Sequence, residues 1–185
     1  MSVVAVQVGA IARRAVTRTV RQPAAVIPSL VFPLALLSVN AAGLRPSTAL
    51  PGFPADSFLA FALAVPFIQG ALFATLNAGS DFARDAQTGF LNRLSLTALR
   101  GSALLAGQLA GIVLLGLVQT AVYLLFGVAS GVEIASGPLG VLLIFCFSVL
   151  VSIGFGAFGS YLALRTGSGE AVQGMFPLFF VFLLI

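Results

Sequence analysis

The sequence has no lysine, no histidine, no tryptophan, one cysteine and few charged residues of any kind. Without histidine and with one cysteine, it cannot supply a structural zinc site, a disulfide framework or a histidine-based catalytic device. Of its 185 residues, 8% are charged and 59% are hydrophobic, whereas soluble domains average about 25% and about 45–50%. So few charges cannot cover a water-facing surface. We therefore predict an integral membrane protein.

The charged residues leave four long charge-free stretches and a fifth that runs to residue 185. A helix needs about 20 apolar residues to cross the membrane, and continuous apolar runs are typical of helices rather than alternating barrel strands. We predict an all-α, polytopic fold with complete membrane helices at 24–42, 57–78, 102–128 and 139–164, and a fifth beginning near Val172. Because residue 185 falls inside the fifth helix, we expect 1–185 to be one transmembrane domain truncated at its C-terminus.

The arginines indicate the orientation of the helices. Every arginine except Arg45 lies on one side of the predicted spans. Cytoplasmic loops carry the excess of basic residues, so we expect a cytoplasmic N-terminus in the plasma membrane. A membrane, rather than a nucleic acid, is the partner that a net charge of +4 indicates in so apolar a chain.

The first segment, residues 4–21, has the pattern of a basic amphipathic helix lying in the cytoplasmic interface. One side carries the arginines and the other carries Val8, Ile11 and Ala15. A cleaved signal peptide is the alternative, but a dozen uncharged residues precede the first arginine, which is not typical of one. We expect lipid phosphates to be contacted by Arg13, Arg14, Arg18 and Arg21.

The predicted spans contain no aspartate, glutamate or arginine. Proton-coupled carriers keep carboxylates within the membrane and voltage sensors keep arginines there. A charged side chain raises the free energy of membrane insertion, so it is kept there only where it has a function. A phosphate-binding loop needs a lysine, which the chain lacks. If this protein transports a solute uphill, the energy must come from another polypeptide.

Polar side chains within the spans lie on narrow helix sectors. The second span carries Gln69, Phe73 and Asn77 on one sector, and the third carries Gln108, Gln119 and Tyr123 on another. Such amides face protein or water rather than lipid, so they indicate either helix packing or a transport path. For the four-residue ladder of small residues on the fourth span, and for Gly107 and Gly111, we favour tight packing.

The longest polar interval, 81–100, joins the second and third spans on the cytoplasmic side. We predict a turn at Thr88-Gly89 and then a short amphipathic helix over residues 90–99. Its apolar side chains lie among charged ones, which suits docking into a groove of a soluble protein. An ordinary loop with its apolar side on lipid is equally consistent with the pattern.

This loop resembles the corresponding loop of type-two ABC transporter membrane subunits, specifically the daunorubicin/doxorubicin-resistance-like exporters. The matching positions are Asp85, Gly89, Phe90, Leu91, Arg93 and Leu94. Further matches are the Leu-rich run 103–107, the Arg21-Gln22-Pro23 end of the first helix and the 176–180 opening of the fifth span. Ala98 departs from the family, whose members usually have proline there.

The resemblance implies a permease that exports a lipophilic or amphipathic drug, polyketide or lipid and has six spans at full length. It implies pairing with a second permease subunit and a separate ABC-type ATPase that binds the ATP, so the chain itself has no cofactor and no catalytic residue. ATPase docking is implied for Phe90, Leu91, Arg93 and Leu94, and shaping of the turn for Asp85 and Gly89. A non-transporting membrane scaffold is the alternative, and an intramembrane enzyme lacks candidate residues.

Overall fold

The computed structural model describes residues 3–55, 57–90, 93, 96, 101–134 and 137–174. Within those residues the chain is helical and contains no strand, which confirms the predicted all-α fold. The α-helices are α1 Val3–Val20, α2 Pro23–Gly43, α3 Phe58–Ala62, α4 Ala64–Gln87, α5 Gly101–Ala129, α6 Gly137–Thr166 and α7 Gly169–Gly174, and a 3-10 helix spans Arg45–Ala49.

Four helices are long and apolar enough to cross a membrane, in agreement with the four complete spans predicted. They are Pro23–Gly43, Phe58–Gln87, Gly101–Ala129 and Gly137–Thr166. The second helix ends at Gln87 rather than at residue 78, so residues 81–87 of the predicted loop are helical. The predicted start of the fifth span, Val172, lies in the short helix α7, and residues 175–185 lie outside the described part.

The second span is interrupted at Leu63, between α3 and α4. Pro66 explains the position of the break, because it has no N–H to donate to the carbonyl of Ala62 and its ring clashes with that carbonyl. By contrast, α2 continues through Pro28 and Pro33.

Small residues bring the helices into close contact, as predicted. A Cβ added to Gly107 would lie 2.5 Å from the Cβ of Ile11, and one added to Gly111 would lie 3.1 Å from the carbonyl oxygen of Ala15. These contacts place α1 directly against the beginning of α5. The apolar side of α1, with Ile11 and Ala15, therefore packs on α5, whereas a helix lying free in the interface would bury that side in lipid.

Candidate functional site

A carboxylate is buried near the end of α4, where the chain turns toward α5. The Asp85 side chain is only 2% exposed. Arg14 of α1 donates to both of its oxygens, from Nη1 to Oδ2 at 2.9 Å and from Nη2 to Oδ1 at 2.7 Å. Gln108 of α5 donates from Nε2 to Oδ2 at 2.6 Å. One carboxylate thus joins α1, α4 and α5.

A second arginine of α1 extends this group of charges. Arg18 donates to Asp85 Oδ1 at 3.2 Å and forms an ion pair with Asp81 Oδ1 at 2.8 Å. The pKa of Arg14 is raised above its ordinary value, chiefly because its guanidinium donates to Asp85. We call Arg14, Arg18, Asp81, Asp85 and Gln108 the Asp85 cluster. A bidentate arginine pair has a defined geometry, so the cluster fixes how α1 lies on α4.

The turn after α4 lies next to the cluster. Thr88 N–H donates to Arg84 O at 2.9 Å, and Gly89 N–H donates to Ala86 O at 3.1 Å. Gly89 has a φ of +68°, a conformation that glycine adopts readily. This agrees with the turn predicted at Thr88-Gly89. The ring of Phe90 then lies 3.8 Å from Cζ of Arg14, a cation–π contact.

The predicted docking residues therefore have different surroundings. Asp85, expected to shape the turn, is 2% exposed and binds α1 and α5, so it is not available for direct contact with a separate protein. Phe90 is partly buried on Arg14, and Arg93 is exposed and donates to Thr88 O at 3.2 Å. Leu91 and Leu94 lie outside the described residues.

The four arginines predicted to contact lipid phosphates divide into two pairs. Arg13 and Arg21 are exposed on α1 and just after it. Arg18 is corrected, because its side chain is 14% exposed and its guanidinium binds Asp81 and Asp85. Arg14 also binds Asp85, but its side chain is 38% exposed, so its contact with lipid phosphate stays a prediction. The helical pattern groups the arginines on one side of α1 but does not show that α4 brings carboxylates to part of that side.

Two of the predicted path residues on α5 satisfy a backbone group of α2. Pro33 has no N–H, so the carbonyl of Ser29, four residues earlier, lacks its usual helical donor. Tyr123 donates to that carbonyl at 2.7 Å and Gln119 Nε2 donates to it at 3.4 Å. Both side chains are buried. This geometry favours helix packing over a transport path for Gln119 and Tyr123.

The other predicted path residues also lie mainly within the bundle. Gln108 belongs to the Asp85 cluster. Phe73 contacts Phe32 of α2 edge to face, with ring centroids 6.2 Å apart. Gln69 is 5% exposed, and within the described part of the chain its Oε1 has no hydrogen-bond partner. Asn77 is partly buried and lines a cavity. The structure therefore does not bring the six residues together along one path.

A family model described as ABC-2 type transporter matches residues 6–185. The chain belongs to the ABC-2 type transporter family. It is thus a multi-pass membrane protein and the permease component of an ABC transporter. No curated protein and no solved structure matches the chain.

The ABC-2 family implies an ABC ATPase partner. The Asp85 cluster is therefore of functional interest, because it lies beside the loop that is predicted to contact that ATPase. Sequence reasoning missed Asp81 and Ser29 in this permease. Asp81 lies one turn before Asp85 on the same helix, a spacing that could have indicated a paired acidic site. Ser29 could have been found by counting four residues back from Pro33.

Proposed function

We propose that this chain is the permease subunit of an ATP-driven exporter of the daunorubicin/doxorubicin-resistance-like kind. A separate ABC ATPase docks on the segment over residues 81–100, which begins with the last turns of α4, and Phe90, Leu91, Arg93 and Leu94 lie at the contact. The contact of Phe90 with Arg14 is the observation that carries this proposal, because it joins the loop to the Asp85 cluster.

The Asp85 cluster provides a physical route from the loop to the membrane. A displacement of the loop moves the end of α4, and the charge-assisted hydrogen bonds of Asp85 transfer that displacement to α1 and α5. Conformational coupling of this kind needs contiguous packed contacts between rigid elements. Closure of the ATPase on ATP would therefore reorient several helices together.

The remaining features follow from this assignment. Two permease subunits pair in the plasma membrane with their N-termini in the cytoplasm, as the arginine distribution favours. ATP is bound by the partner, and the chain has no cofactor or catalytic residue of its own. The apolar composition of the spans favours a lipophilic or amphipathic substrate. On the exposed side of α1, Arg13 and Arg21 contact lipid phosphates.

The docking assignment is tested by co-purification of the full-length permease with its ATPase. Phe90→Ala removes the aromatic contact without adding a charge, and Phe61→Ala is the matched control because Phe61 is 53% exposed near the opposite end of the second span. Truncation of a residue that anchors an interface costs about 2 kcal/mol or more, whereas most interface residues cost less than about 1 kcal/mol. We therefore expect association to weaken about tenfold for Phe90→Ala and to stay unchanged for Phe61→Ala. Unchanged association of Phe90→Ala, with normal membrane insertion, contradicts the docking role.

A further inference from the structure

A partly enclosed cavity of about 370 Å³ lies beside the Asp85 cluster. It is bounded by the end of α1, the start of α2, the second half of α4, α5 and the short helix α7. Binding sites for small ligands commonly measure about 300–1,000 Å³. The cavity is therefore large enough for the polar head and first carbons of an amphiphile.

The cavity is lined by apolar side chains at one end and by polar side chains at the other. On α4, the lining runs from Asn77 and Ala78 to Gln87 at the helix end, a distance of roughly 15 Å at 1.5 Å per residue. The end that faces the membrane interior is apolar and includes Val26, Ala78, Ile112 and Leu115. The end that faces the loop is polar and includes Gln22, Asp81, Arg84, Gln87, Glu170 and Gln173. This gradient has the same direction as that of a lipid leaflet, so it suits an amphiphile oriented like the surrounding lipids.

Among the described residues, the charged side chains that line the cavity are balanced in sign. They are two arginines, Arg18 and Arg84, and two carboxylates, Asp81 and Glu170. Arg18 is already paired with Asp81 and Asp85. Arg84 and Glu170 are exposed in the cavity wall. A zwitterionic head is therefore a better complement than a head with one sign of charge.

A single amide lies deeper, near the apolar part of the wall. The Nδ2 atom of Asn77 is buried and, within the described residues, has no hydrogen-bond acceptor. A buried donor without an acceptor is costly. Because the Asn77 side chain is only partly buried and lines the cavity, a rotation of its amide would bring this donor to a ligand oxygen. In a glycerophospholipid, the ester carbonyls lie between the head group and the acyl chains, so a lipid whose head group occupies the polar end of the cavity would bring one toward Asn77.

We propose that this cavity binds a zwitterionic glycerophospholipid with a primary amine in its head group, as in phosphatidylethanolamine. The ammonium group faces Asp81 and Glu170, the phosphate faces Arg84, and an ester carbonyl accepts from Asn77. The beginning of an acyl chain lies along the apolar wall. This goes beyond the proposed function, because it requires neither the ATPase nor transport of the lipid.

Native mass spectrometry of the purified full-length chain in detergent tests the proposal directly. Three lipids are added in turn: phosphatidylethanolamine, phosphatidylcholine, which lacks ammonium N–H donors, and anionic phosphatidylglycerol. Water-soluble glycerophosphoethanolamine tests whether the head group alone is sufficient. Asn77→Leu removes the amide and Glu170→Gln removes one carboxylate. Glu133→Gln is the control, because Glu133 is exposed between α5 and α6, at the other end of the spans.

We expect phosphatidylethanolamine to bind about tenfold more tightly than either other lipid, since neither of the others offers ammonium N–H donors to the carboxylates. Asn77→Leu and Glu170→Gln should each weaken its binding by about fivefold or more, and Glu133→Gln should not. Equal or tighter binding of phosphatidylglycerol overturns the proposal, as does equal binding of the soluble head group. Binding of phosphatidylethanolamine that neither variant weakens also overturns it. If a variant fails to fold, the proposal is tested by the relative binding of the three lipids to the protein without substitutions.

Discussion

Replacement of Asp85 by asparagine tests the Asp85 cluster most sharply, because asparagine keeps the shape and removes the charge. Arg14 and Arg18 would then face a neutral amide. The N–H groups of that amide and those of the two guanidiniums are all donors, so they cannot hydrogen-bond to each other. Removing one partner of a buried ion pair costs about 3–5 kcal/mol. Because Arg14 is 38% exposed and can turn toward water, we expect a loss below that range, about 2–3 kcal/mol in the free energy of unfolding.

The assay is reversible unfolding of the purified chain in mixed micelles, arranged as a double-mutant cycle of Asp85→Asn and Arg14→Gln. Residues in one hydrogen-bonded network show coupling energies of about 0.5–3 kcal/mol, and we expect at least about 1 kcal/mol for this pair. Glu133→Gln, an exposed carboxylate with no ion pair among the described residues, should change stability by less than about 0.5 kcal/mol. If the loss of stability in the double variant equals the sum of the two single losses to within about 0.3–0.5 kcal/mol, the proposed role of the pair is refuted.

Two further predictions concern helix packing. Tyr123→Phe should lower the free energy of unfolding by about 0.6–1.7 kcal/mol, from the average to the maximum found for interhelical hydrogen bonds in membranes. Tyr161→Phe, at a position that is 55% exposed, should have no effect. Pro33→Ala restores a backbone N–H and should reduce the loss caused by Tyr123→Phe, and additive effects in unfolding measurements would contradict the carbonyl assignment. Gly107→Ala should cost about 1–3 kcal/mol through overpacking against α1, whereas Gly9→Ala, which meets open space, should be neutral or stabilising in the same assay.

The membrane helices could be predicted from the sequence because lipid imposes a length requirement on apolar segments. The predicted spans and the observed helices Gly101–Ala129 and Gly137–Thr166 differ by only a few residues at their ends. The positions of the small residues also indicate close packing, since glycine and serine allow backbones to approach.

The Asp85 cluster could not be predicted in the same way. Arg14 and Asp85 are 71 positions apart, and an amphipathic pattern within α1 describes only that helix. The pattern therefore favours lipid phosphates, which are the default partner of a basic interfacial helix. Only the packing of α1 on α5, which depends on Gly107 and Gly111, brings the guanidiniums to the end of α4.

For the predicted path residues, the sequence shows that the side chains are polar and need a partner, but the partner is harder to identify. Tyr123 and Gln119 are side chains that must face protein or water. The carbonyl that they contact follows from Pro33, because a proline within a helix leaves an acceptor free four residues earlier. Taken together, these two features of the sequence favour helix packing for both residues.

Labelling of the loop with a membrane-impermeant maleimide tests the central claim that an ATPase acts on the permease from the cytoplasm at this loop. Leu96 is 87% exposed, so Leu96→Cys in a Cys146→Ser background places one reactive thiol on the loop. The thiol should react only from the cytoplasmic face, and assembly with the ATPase should slow its reaction at least about fivefold. Reaction from the opposite face, or a rate that the bound ATPase leaves unchanged, would contradict the account.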